Sequence, residues 1–166
     1  MNIFSEIEIT GESGELFVAG LLMTGGLFFA KQIGGKMPSF DIFAEVNDTA
    51  TPFPLYIQVK TTKKRNKYNK ASIKTPVPDN TVKELAAMPI PTYVAGYDID
   101  SHIIYLAPVF SGNEHYSSIP ITHKIELSNK AKAIIELEKL KNDVVNFFVN
   151  QGINMQNYKQ SYVSQL

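Results

Sequence analysis

The chain has no cysteine, which excludes disulfides, thiolate metal sites and a cysteine nucleophile. It has no apolar run of the roughly 18 residues that a membrane-spanning helix needs. Its first residues, Met1-Asn2-Ile3-Phe4-Ser5-Glu6, show no basic segment leading into an apolar block, so no signal peptide is expected. A cytoplasmic location fits these absences. The one arginine, Arg65, argues against extensive bidentate reading of guanine. His102, His115 and His123 are scattered, without the spacing of metal ligands. No G-x-S-x-G elbow supports serine chemistry, and neither a P-loop nor a dinucleotide fingerprint is present. The pairs Gly25-Gly26 and Gly34-Gly35 read as turns rather than phosphate cradles.

What is present is an ordinary globular composition. The 166 residues suit one domain, 1–166, and at 44% hydrophobic and 19% charged the chain is expected to fold rather than remain disordered. Its net charge is zero, but the charge is unevenly spread. Residues 60–74, KTTKKRNKYNKASIK, hold seven of the sixteen basic residues and no acidic one, leaving nine basic against sixteen acidic elsewhere. A basic loop on an acidic body attracts a polyanion locally while the remaining surface repels it.

Hydrophobic periodicity divides the chain further. Residues 11–24 predict a helix that stops at Gly25-Gly26, with apolar positions nearly encircling it. Strands are expected over 27–33, 39–46 and 53–61, with turn formers at Asn47-Asp48-Thr49-Ala50-Thr51-Pro52 between the last two. A helix over 79–88, capped at Asp79 or Asn80, follows the basic loop. Two strands, 92–99 and 102–108, flank a tight turn at Asp100-Ser101; 110–120 reads as a loop and 121–127 as a short strand. The longest helix, 129–150, puts Ile134, Leu137, Leu140, Val144 and Phe148 near one face. That stripe reads as core, with a homodimer interface as its alternative. The result is an α/β (α+β) chain in the order α-β-β-β-α-β-β-α, a mixed sheet with helices packed on its faces.

One strand is unusual. In Ile57-Gln58-Val59-Lys60 the two polar side chains are two residues apart and share a face. A hairpin turning near 49–51 pairs residues whose numbers sum to about 100, which sets Asp41 opposite 58–60. An acid, an amide and a lysine on neighbouring strands can hold a divalent metal beside a phosphate.

These residues resemble the PD-(D/E)XK nuclease superfamily. Glu15 on a first helix, Asp41 on a second strand and Gln58-Val59-Lys60 on a third match its pattern. Pro38-Ser39-Phe40-Asp41 resembles a stretched form of the first motif, and Gln58-Val59-Lys60 the Q-x-K variant seen in Mrr-type restriction enzymes. Residues 14–60, a polar insertion and then PTYVAGYDID…IIYLAPV are similar to the small DUF4365-type branch. The likeness spans roughly 10–110 and leaves the C-terminal helix and tail, 129–166, outside it. It implies a restriction-endonuclease-like fold with an αβββαβ core and hydrolysis of DNA with Mg²⁺ (or Mn²⁺). Asp41 would be the principal metal ligand, with Gln58 and the Val59 carbonyl completing the inner shell. Glu15 would reach the ion through water or hold a second one. Lys60 would orient the attacking water and stabilise the charged transition state. The usual second acid is Gln58 here, so the site has one negative charge fewer.

Lys63, Lys64, Arg65, Lys67 and Lys70 would then lie at the mouth of the site and neutralise phosphates, giving salt-sensitive binding with little sequence preference. Tyr68 is a candidate for stacking on a base. No separate specificity domain is expected within these 166 residues, so a partner protein is expected to supply any site selection. Two competing readings stand beside this one. In the first, the fold has lost activity and holds nucleic acid or a partner protein through the basic loop. In the second, the chain is an interaction protein in which the QVK run is coincidence.

Overall fold

The computed structural model describes residues 6–33, 39–47, 52–62, 72–112, 114–120, 122, 124–126 and 129–150. The basic residues Lys63, Lys64, Arg65, Lys67 and Lys70, with Tyr68 and Pro38, lie outside the described residues.

Helix α1 (Glu6–Leu22) leads through a short 3-10 turn (Thr24–Gly26) into β1 (Phe28–Gln32), β2 (Ile42–Val46), β3 (Pro54–Thr62) and β4 (Ser72–Val77). Helix α2 (Asp79–Ala87), β5 (Thr92–Asp98), β6 (Ile103–Pro108), β7 (Tyr116–Pro120), β8 (Lys124–Glu126) and α3 (Lys130–Asn150) follow. Six strands form one sheet in the order β1-β2-β3-β5-β6-β8, and β4 pairs with β7 in a separate ribbon. β3 and β5 run parallel and the other neighbours antiparallel. A parallel pair needs a long crossover, and the segment containing β4 and α2 supplies it.

Both faces of the sheet are covered. α1 and α3 pack on one, where Val18, Leu21 and Leu22 meet Ile42, Ile57, Tyr97, Leu137 and Val144. α2 and the β4–β7 ribbon pack on the other, where Val82, Leu85, Ile73 and Ile119 meet Val94 and Tyr105. Each such fully buried aliphatic side chain contributes about 1.5–3 kcal/mol.

The hairpin register is close to the expected one: Ile42 pairs with Ile57 and Ala44 with Leu55. Several expectations need correction. α1 is not encircled by core, because Leu16 and Phe17 stay exposed, and it begins earlier than residue 11. α2 is entered through Pro78, whose carbonyl accepts from the Val82 N–H; Asp79 is its first residue and makes no cap bond. In α3, Ala133 is buried in place of Ile134, whose side chain lies against Gly25 in the middle of the 3-10 turn. There Gly25 and Gly26 have φ of 75° and 72°, a region that favours glycine. Two strands were hidden: β4 within a basic stretch, and β7 within the expected 110–120 loop. Ser117 and Ser118 carry little strand signal. Their pairing partner is β4, over 40 residues away in the chain, so only the fold brings the ribbon together.

Candidate functional site

Asp41 is fixed by its backbone before its side chain acts. Its N–H donates to the Ile57 carbonyl (2.9 Å) and its carbonyl accepts from the Ile33 N–H (2.8 Å), so it sits in the ladder between β1 and β3. The preceding residues hold that position. The buried Ser39 hydroxyl donates to Glu84 on α2, and the Phe40 ring stacks on Tyr56 with centroids 3.8 Å apart.

The Asp41 side chain then turns onto β3. Its Oδ2 accepts from the Val59 N–H at 2.7 Å and from Gln58 Nε2 at 2.6 Å. Gln58 Nε2 also lies 3.4 Å from the Val59 carbonyl. Among the described residues, both bonds to the carboxylate converge on Oδ2 and Oδ1 accepts none. Asp41 and Gln58 therefore meet as the hairpin arithmetic requires. The face they share with Lys60 is not open to solvent throughout. Gln58 is buried, and it pairs with Val94 in the layer covered by α2 and the ribbon.

Glu15 reaches the same end of the sheet from α1. That helix lies close because Gly14 has no side chain: a Cβ there would collide with the Thr61 hydroxyl, beside the Tyr97 ring. Glu15 Oε2 accepts from Gln32 Nε2 at 2.5 Å. Gln32 was not singled out from the sequence, although a signal exists. Phe28 and Ala30 face the core beneath α1, and period-2 alternation puts Gln32 on the same side. A polar residue at the end of an inward-facing series asks for a partner.

Charge links the members. Burial holds the Asp41 carboxyl above its usual value, opposed by the Val59 N–H, the Lys60 charge and Gln58. Glu15 is likewise raised, first by burial and also by the charges of Asp41 and Glu12; Gln32 and Lys60 act the other way. Lys60 thus acts on both carboxylates through its field, without a salt bridge to either among the described residues. Partial burial with incomplete compensation leaves an electronegative spot that a cation would relieve.

The donors suit a hard cation. All are oxygens, from the two carboxylates and the Val59 carbonyl, with the Gln58 amide oxygen available if that group turns about its last torsion. No group of three or more His, Cys, Asp or Glu residues occurs among the described residues, so the set fits with less charge than a three-carboxylate centre.

No protein-family model matches the chain, and no curated protein does. Among solved structures it is similar to a bacterial homing endonuclease, at 15% identity and a TM-score of 0.45 over 70% of this chain and 78% of that one. It is also similar to a nuclease from a fusselovirus, at 12% identity and a TM-score of 0.44 over 86% of this chain and 99% of that one. Neither likeness is close enough to transfer a residue's role.

Proposed function

We propose that the protein is a metal-dependent phosphodiesterase acting on DNA in the cytoplasm, with Glu15, Asp41, Gln58 and Lys60 as its centre. The observation that carries this reading is the convergence of Asp41 with Gln58 and the Val59 backbone at the end of β3, with Glu15 and Lys60 within reach of the Asp41 charge. Bound Mg²⁺ or Mn²⁺ would supply Lewis-acid activation of water and charge neutralisation on the phosphate. Asp41 is its principal anchor, with Gln58, the Val59 carbonyl and Glu15 completing the set. Lys60 has no salt bridge to abandon among the described residues. Its ammonium is therefore available to orient the attacking water and stabilise charge developing on the phosphate oxygens. Lys63, Lys64, Arg65, Lys67 and Lys70 hold the backbone by charge.

The test is cleavage of supercoiled plasmid, linear duplex and single strands with Mg²⁺, Mn²⁺ or EDTA, comparing wild type with Asp41→Ala. Metal-dependent cutting that disappears in the variant is the expected result. Cutting by the variant at the wild-type rate would falsify the assignment.

A second reading has a specific observation in its favour. Gln58 turns its NH₂ toward Asp41, engaging one carboxylate oxygen without a metal. On that reading the fold holds nucleic acid, or a partner protein, without cutting. Salt-sensitive DNA binding with no cleavage in any metal selects it.

A further inference from the structure

At the same end of the sheet, on the face that α1 covers, lies a cluster of rings that the phosphodiesterase reading does not use. Tyr97 pairs with Thr61, the residue after Lys60. The Phe17 ring, one turn beyond Gly14 on α1, stacks on Tyr97 with centroids 5.0 Å apart and planes 18° apart. It also stacks on His102 at 5.7 Å and 26°. The Tyr97 hydroxyl and His102 Nδ1 share a hydrogen bond of 2.8 Å, which fixes the imidazole.

Two features make this more than a core edge. Phe17 remains 40% exposed while its neighbour Val18 is buried, so the ring is presented rather than packed away. His102, also exposed, has φ of 54°, a conformation that glycine adopts more readily. The turn between β5 and β6 thus places an aromatic ring where a plain turn would favour glycine.

We propose that Phe17 and His102, backed by the buried Tyr97 ring, form a stacking platform for an unpaired nucleobase at the same end of the sheet as the Asp41–Lys60 centre. The substrate class is accordingly nucleic acid with a single-stranded or frayed stretch. This rests on reading that end of the sheet as a phosphodiester site. A base within a duplex is already stacked on both sides, whereas an unpaired base has a free π-face, and aromatic side chains accept it with little sequence preference.

The test is fluorescence anisotropy in EDTA, where no metal-dependent cutting occurs. The probes are a labelled single strand, the same strand with an abasic position scanned along it, and its blunt duplex. Wild type should prefer the single strand. Phe17→Leu keeps the apolar bulk without the ring and should weaken single-strand binding by about fivefold or more, with a smaller effect on duplex. An abasic position should reproduce the loss in wild type and add little in the variant. His102→Gly suits the backbone conformation and provides a second variant, which removes the ring together with the partner of the Tyr97 hydroxyl. Unchanged single-strand affinity in both variants, with circular dichroism intact, overturns the proposal. Cleavage with Mg²⁺ in the same preparations separates the two readings. Ring-dependent binding without cutting in any metal keeps the platform and removes the phosphodiesterase. Metal-dependent cutting indifferent to both variants and to strandedness does the reverse.

Discussion

Where β3 and β5 finish, Glu15, Asp41, Gln58 and Lys60 gather around a small, partly buried spot. Where the same strands begin, a groove of about 890 Å³ opens between α2, β6 and α3, lined by Met88, Ile90, Pro91, Phe110 and Phe147. The charged groups of the groove lie along one wall of α3, and two of them, Glu136 and Lys139, satisfy each other at 2.7 Å. Tyr93 in the groove is held above its ordinary phenol value by burial and by Asp143, so its hydroxyl is a weaker acid there than in water. At the other end the carboxyls are incompletely compensated. Functional potential follows unbalanced charge on a rigid frame more closely than it follows space.

The contrast is most easily broken at Lys60. Lys60→Ala should lower metal-dependent cleavage by about 100-fold or more, measured as initial rates on plasmid, while Phe110→Ser in the groove should change them less than about twofold. Comparable losses from both would erase the distinction. Replacing Lys63, Lys64, Arg65, Lys67 and Lys70 together by serine should flatten the salt dependence of DNA binding. If each meets one phosphate, the slope of log K against log salt falls by about 4.5. An unchanged slope places the polyanion elsewhere.

Gly14→Ala sharpens the comparison by moving one element. Alanine favours an isolated helix by about 1 kcal/mol, but its methyl must displace Thr61. The expected net result is destabilisation of about 1–3 kcal/mol by urea titration, with a parallel fall in cleavage as Glu15 shifts. A stabilised variant would contradict the close contact of α1 with β3.

The smallest effect concerns pH. Asp41 and Glu15 have raised values in the folded protein, so the folded state binds protons more readily than the unfolded state. In EDTA, their contribution to stability is fully present below the ordinary carboxylate range and is lost as pH rises through the raised values. Glu15→Gln should flatten that decline, with a gain at neutral pH of no more than about 1 kcal/mol after solvent screening. Thermal melts from pH 3 to 8 measure it, and a steeper decline in the variant would reverse the assigned sign.

Local signals made much of this legible. Alternation and turn residues define β1, β2, β3, β5 and β6, and the hairpin arithmetic brings Asp41 to Gln58. The β4–β7 ribbon was hidden because Lys74 and the serines of β7 carry weak strand preference and their pairing is long-range. Gln32 was missed because its meaning depends on α1 lying above it.

By itself the sequence determined the element types, the β2–β3 register and the polar face of β3, because periodicity and turn chemistry act between near neighbours. It also determined the charge polarity, which is a matter of composition. Only the tertiary structure decided that Gly14 lets Glu15 approach the strand ends, that a ribbon covers Gln58, and that Phe17 meets His102. Those facts depend on contacts between segments far apart in the chain, where packing and shared burial outweigh local preference.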